Sequence, residues 1–137
     1  YIVYRVITRK RIAPPATPIE KADHFRNAEE ALSKLKEERN NLEPRVFYSK
    51  LTDIFRQYLQ NRTGIHSMYQ TTGHLIVMLS NLQLDSESFQ RLAQTLRLSD
   101  SVKFARYQPD EKENNDSIEH ISEAINVIEQ KQSGHDL

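Results

Sequence analysis

Apolar side chains recur at helical spacing between residues 47 and 59, and this pattern constrains the fold of the chain more than any other feature. The apolar positions are Phe47, Leu51, Ile54, Phe55, Tyr58 and Leu59. Side chains three and four residues apart lie on one face of an α-helix, so the pattern predicts a broad buried stripe. Pro44 suits the first turn of a helix and Gly64 suits the residue after its end. We therefore expect a helix over about residues 44–61.

A helix is also predicted before this stripe, over about residues 19–40. Thr17 is its expected N-cap and Pro18 its expected first residue. The connection "NNLE" to the next helix is short, which favours an antiparallel hairpin between the two helices.

Capping side chains mark the starts of two later helices. Thr71 or Thr72 precedes the third helix, and Asp85 or Ser86 precedes the fourth. The stretch "LSDSVKFARYQP" predicts one or two further helical turns that end at Pro109.

The last helix is expected over about residues 117–131, after an acidic loop or frayed start, "DEKENND". With only three Gly in the chain and no stretch that reads as a strand pair, the fold class is predicted to be all-α. The expected architecture is a single bundle of about five helices over residues 19–131, followed by a frayed C-terminus at 132–137. The narrow apolar seams of the first and last helices suit pairing within the domain or between copies of it.

The N-terminal segment "YIVYRVITRKR" pairs an apolar run with basic residues. Residues 1–11 are expected to be the end of a transmembrane helix and its flank, with Arg9, Lys10 and Arg11 on the cytoplasmic side. Residues 12–18, "IAPPATP", then form a stiff proline-rich linker. The alternative is a solitary strand or a tail, because the run is also rich in strand-forming residues.

Composition and spacing exclude several kinds of chemistry. The chain has no Cys, and none of its five His lies three or four residues from another, so no metal site is expected. No glycine-rich phosphate loop and no nucleophile motif is present, so neither a cofactor nor a catalytic residue is expected. The body of the chain after the basic flank carries a net charge of about −4, which disfavours nucleic acid as a partner.

The stretch "DSVKFARY" is the strongest candidate for a binding site. Asp100 is expected to cap a short turn, with Phe104 and Ala105 packed inward. Lys103, Arg106 and Tyr107 would then form an exposed patch for docking an acidic partner surface. The simpler interpretation is a capped turn with a surface ion pair between Asp100 and Lys103.

A DNA-binding regulator is the alternative function, because the third and fourth helices are joined by a short turn like that of a helix-turn-helix. The fourth helix begins "DSESFQ", which places acidic side chains where phosphates would lie. An enzyme is the third class, and a preformed site would show itself by ligand-induced thermal stabilisation.

The order "FYSKLTDIFRQYLQNRTGI", "TTGHL" and "SDSVKFARY" resembles the cytoplasmic tails of a family of bacterial membrane-anchored proteins. These proteins are encoded beside MoxR-type AAA ATPases and von Willebrand A-domain proteins, in operons of the aerotolerance type. The likeness covers residues 47–107. It departs from the family's Thr-x-Glu-Leu pattern, since His74 stands in place of the acid.

The resemblance implies a non-catalytic interaction domain on the cytoplasmic face of the inner membrane, as part of a longer single-span protein. Its expected partner is a soluble protein such as the MoxR-type ATPase or its adaptor, with the von Willebrand A-domain protein as another candidate. The residues expected to bind that partner are Asp100, Lys103, Arg106 and Tyr107.

Overall fold

The computed structural model describes residues 18–136, with side chains from 23 to 134, and it is all-α over that range. The five helices are α1 (Pro18–Glu38), α2 (Pro44–Thr63), α3 (Thr72–Ser80), α4 (Ser86–Phe104) and α5 (Glu111–Asp136). Short 3-10 turns lie at Arg39–Asn41 and Ser67–Tyr69. The predicted membrane flank, the linker and the cap at Thr17 lie outside the described residues.

Helix α2 is the centre of the bundle, as its broad apolar stripe predicts. It packs against α1, α4 and α5, and its stripe from Phe47 to Leu59 is buried apart from the half-buried Ile54. Each large apolar side chain that is fully buried contributes roughly 1.5–3 kcal/mol to folding. The expected pairing of α1 with α2 is present, while the antiparallel direction of that pair stays a prediction.

The predicted end of α2 and the predicted starts of α3 and α4 are confirmed. Gly64 ends α2 in the left-handed conformation, with φ of 84°. Thr71 caps α3 by accepting a hydrogen bond from the backbone N–H of His74, at 3.2 Å. Asp85 caps α4 by accepting one from the N–H of Ser88, at 3.1 Å. These caps satisfy amides that the helix itself leaves without partners.

The prediction of a separate capped turn at Asp100 is wrong. Helix α4 continues without interruption to Phe104, so Asp100 lies inside it. Along α4 the inward positions include Leu92, Ser99 and Val102, all buried. Residue 104 lies about 200° around the helix from Val102, so Phe104 faces away from the core. The prediction that Phe104 and Ala105 pack inward is therefore also wrong, because both are exposed.

Helix α5 begins six residues before its predicted start, because "DEKE" forms a capping box. The Glu113 N–H donates to Asp110 Oδ1 at 2.7 Å, and the Asp110 N–H donates to Glu113 Oε1 at 3.0 Å. Two amides at the helix start are thereby satisfied reciprocally. The helix ends at Asp136, beyond the predicted end at 131.

Candidate docking surface

The C-terminal end of α4 presents the largest exposed aromatic side chain of that helix. Phe104 is 78% exposed, whereas Val102, two residues earlier, is buried against the bundle. An isolated exposed apolar residue is common on protein surfaces, so the neighbours of Phe104 decide whether it has a function.

Lys103 lies between the exposed ring of Phe104 and helix α2. Its Nζ is 5.5 Å from the centroid of the Phe104 ring, within range of a cation–π interaction. The same Nζ donates to Thr52 Oγ1 at 3.4 Å. The ammonium group is thus held beside the ring by neutral contacts, and its charge stays available to a carboxylate from another molecule.

Asp100 is half-buried, and its carboxylate interacts with Arg56 inside the domain. It lies close enough to Arg56 to oppose the lowering of the Arg56 pKa, which is caused chiefly by desolvation of that guanidinium. Arg56 Nη1 donates to the backbone carbonyls of Ser67 and Gln70, at 2.7 Å and 2.5 Å. Asp100 therefore supports the arginine that fastens the α2–α3 connection, and we separate it from the other predicted docking residues.

Arg106 follows the end of α4 in a backbone conformation that non-glycine residues seldom adopt. Its φ is 60°, in the left-handed region, and the next N–H, that of Tyr107, donates back to the Ser101 carbonyl at 3.1 Å. The left-handed backbone conformation is less favourable by about 1–2 kcal/mol for a residue that has a side chain. The turn brings the exposed Arg106 side chain round toward the start of α2.

Tyr107 is 43% exposed and is oriented by a single carboxylate. Its hydroxyl donates to Glu113, with oxygen–oxygen distances of 2.9 Å and 2.8 Å. This hydrogen bond is the main reason that the pKa of Tyr107 is raised. Because Glu113 is itself fixed in the capping box of α5, the ring of Tyr107 has a defined place on the surface.

A groove of about 380 Å³ lies between the start of α2 and the end of α4. Its lining residues are Glu43, Pro44, Arg45, Val102, Arg106, Tyr107 and Gln108. The structure thus brings two of the predicted docking residues, Arg106 and Tyr107, to one concave site. Lys103 and Phe104 belong to the same end of α4, and we call Lys103, Phe104, Arg106 and Tyr107 the docking surface.

Arg45 is the member of this site that sequence reasoning missed. It stands 61 positions before Arg106 in the chain, and no local pattern links the two. The exposed face of Phe104 was also missed, although extending the apolar spacing of α4 through Ser99 would have revealed it. The basic flank Arg9, Lys10 and Arg11 lies outside the described residues.

Arg91, the first of the two arginines of α4 and the nearer to its N-terminus, is already neutralised. Arg91 makes a two-pronged ion pair with Glu123 on α5, with both nitrogen–oxygen distances at 2.8 Å, and a longer contact of 3.5 Å to Glu87. Its guanidinium is therefore committed to carboxylates and is poorly placed to bind phosphate.

The described residues contain neither a metal-binding cluster nor a helix that could span a membrane. No group of three or more His, Asp or Glu side chains is placed to hold a metal ion. None of the helices between residues 18 and 136 combines the length and the apolar character needed to cross a bilayer. In the comparisons with known proteins, no protein family, no curated protein and no solved structure matches the chain.

Proposed function

We propose that this chain is a non-catalytic interaction domain that binds a soluble protein partner through the docking surface. The observation that carries the proposal is the exposed ring of Phe104, 78% accessible, at the end of a helix whose other large apolar residues face the bundle. Aromatic and arginine side chains contribute most of the binding energy at protein interfaces, and this surface offers Phe104, Tyr107 and Arg106 together.

The partner is expected to present carboxylates. Neither Lys103 nor Arg106 forms an ion pair with a carboxylate among the described side chains, whereas Lys36, Lys50 and Lys112 each do. Positive charge left unpaired beside an exposed aromatic ring favours an acidic surface with an apolar centre. The resemblance noted above makes a MoxR-type ATPase or its adaptor the first partner to test.

The expected result of replacing Phe104 with alanine is a loss of at least about tenfold in affinity for the purified MoxR-type ATPase, as for a central interface residue. Immobilised chain and soluble ATPase in a surface-binding assay give the measurement. Tyr69→Ala is the matched control, because that ring is 82% exposed but lies on the α2–α3 connection. Unchanged affinity in Phe104→Ala, with helicity retained, or an equal loss in Tyr69→Ala, would contradict the proposal.

The position of the domain at a membrane is a second part of the proposal, supported by the apolar run and by the basic residues Arg9, Lys10 and Arg11. We expect the full-length protein to stay in the membrane pellet after alkaline carbonate extraction. An epitope in this domain should resist protease until the cells are opened. Release into the supernatant would remove the membrane from the proposal and leave the docking surface to be judged by its own test.

A further inference from the structure

We propose that the groove between α2 and α4 binds an acidic linear peptide, in which a carboxylate contacts Arg45 and Arg106 and an apolar side chain packs on the groove floor. This inference rests on the proposed docking function and adds the chemistry of the ligand. It names an extended acidic segment as the occupant of the groove, in place of a flat protein surface.

The first support is the charge of the groove. Arg45 enters from the first turn of α2 and Arg106 from the turn after α4, and both are exposed. Among the described side chains neither has a carboxylate within ion-pair distance. Glu43 is the one acidic residue in the groove lining, where two arginines face it. The Tyr107 hydroxyl donates to Glu113, a carboxylate outside the lining.

Three other arginines of the described residues are held by contacts within the domain. Arg62 and Arg91 are both held by carboxylates on α5, and Arg56 is held by carbonyls of the α2–α3 connection. These cations hold helices or a connection in place. Arg45 and Arg106 make no such contact. Their guanidinium groups can therefore donate two parallel hydrogen bonds to the carboxylate of a ligand.

The second support is an apolar floor beside the two cations. Val102 is buried beneath the groove, and Pro44 and the ring of Tyr107 form its walls. Val46, on the first turn of α2, is a further exposed apolar side chain next to Arg45 in the chain. An apolar side chain next to an acidic one would therefore find both a surface to pack on and a charge to pair with.

The third support is size. At about 380 Å³ the groove lies at the lower end of the range of roughly 300–1,000 Å³ that is typical of ligand pockets. A space of this size suits a few side chains of one peptide segment. The start of α2 and the end of α4 form its two sides, so an extended peptide in the groove would contact both helices.

The test uses the 137-residue chain and two synthetic probes, EELFEE and its uncharged counterpart QQLFQQ, each with a neutral fluorophore. In fluorescence anisotropy we expect saturable binding of EELFEE that weakens with added salt, and binding of QQLFQQ that is at least about tenfold weaker. Arg45→Glu should weaken EELFEE binding at least about tenfold. Glu43→Gln, which removes the acidic residue of the groove, should strengthen it a few-fold.

Arg97→Glu is the matched control, because Arg97 is an exposed arginine on α4 that does not line the groove. We expect its affinity for EELFEE to stay within about twofold of the parent chain. The absence of saturable binding, equal affinities for the two probes, or equal losses in Arg45→Glu and Arg97→Glu would overturn the inference. Circular dichroism at the binding temperature shows that each variant is folded.

The two proposals fail in different ways. Loss of ATPase binding in Phe104→Ala, with no saturable binding of EELFEE, would keep the docking surface and reject the acidic peptide. Binding of EELFEE that depends on Arg45, with ATPase affinity unaffected by Phe104→Ala, would keep the groove and reject the docking surface centred on Phe104.

Discussion

Replacing Glu129 with alanine is expected to lower the free energy of unfolding by about 3 kcal/mol, because hydrogen bonds from two buried side chains to one carboxylate are lost. Glu129 Oε1 accepts hydrogen bonds from Arg62 Nε at 2.9 Å and from the Tyr58 hydroxyl at 2.6 Å. The Arg62 side chain is only 2% exposed. The variant would therefore remove one carboxylate partner from a guanidinium that has almost no access to water, and it would leave the buried Tyr58 hydroxyl without its acceptor.

Urea denaturation followed by circular dichroism measures this loss, and Glu119→Ala is its control. Glu119 lies on the same helix, but it is 69% exposed and its contact with Lys36 is 3.8 Å long. An exposed pair of this kind contributes about 0–1 kcal/mol. Similar losses in the two variants would show that Glu129 does not stabilise Arg62 in the way the geometry indicates.

The fold was predictable where the determining signals are local in the chain. The buried stripe of α2 can be read from spacing alone, and the caps at Thr71 and Asp85 follow from side chains that bond amides three residues away. The left-handed end of α2 at Gly64 is local in the same sense. Each of these features is decided within one or two helical turns, so tertiary packing had little to override.

The end of α4 was mispredicted because a local signal competed with packing. Ser99, Asp100 and Ser101 resemble a helix start, since such side chains favour caps and turns over helix interiors. In the folded domain Ser99 and Val102 are buried against the bundle, which keeps the helix continuous through the polar stretch. This continuity turns Phe104 outward and creates the docking surface.

The candidate site was only partly predictable, because its members come from distant parts of the chain. Lys103, Arg106 and Tyr107 are neighbours in sequence and could be named from one motif. Arg45 joins them only because the start of α2 packs beside the end of α4. In the same way, Glu129 and Arg62 stand 67 positions apart and are brought together by the packing of α5 on α2. The spacing of residues within one helix cannot predict that Arg45 lies near Arg106 or that Arg62 contacts Glu129.

A steep loss of stability above pH 10 is the second large effect that we expect, and its source is two buried tyrosines on α2. Burial is the main cause that raises the pKa of Tyr48 from 10.0 to about 12. Burial and the hydrogen bond to Glu129 raise the pKa of Tyr58 as well. Both rings are almost wholly inaccessible to water, so their phenolate forms would lack hydration.

The direction of the effect follows from proton binding. Below pH 10 both tyrosines hold their protons in the folded and unfolded states, and the contribution of their raised pKa values to stability is fully present. Between pH 10 and about 12 the unfolded chain releases protons that the folded chain retains, so the free energy of unfolding falls as pH rises. Each tyrosine contributes a slope of up to about 1.4 kcal/mol per pH unit.

Tyr48→Phe combined with Tyr58→Phe separates this titration from the loss of the two hydroxyl groups. The missing hydrogen bonds to Asn114, Ser117 and Glu129 lower stability by about 1 kcal/mol each, also near neutral pH. Removal of the titration instead changes the slope: between pH 10 and 12 the double variant should lose stability less steeply than the parent chain. Thermal unfolding at a series of pH values measures both quantities. Equal slopes in the two proteins would mean that these tyrosines are not what limits alkaline stability.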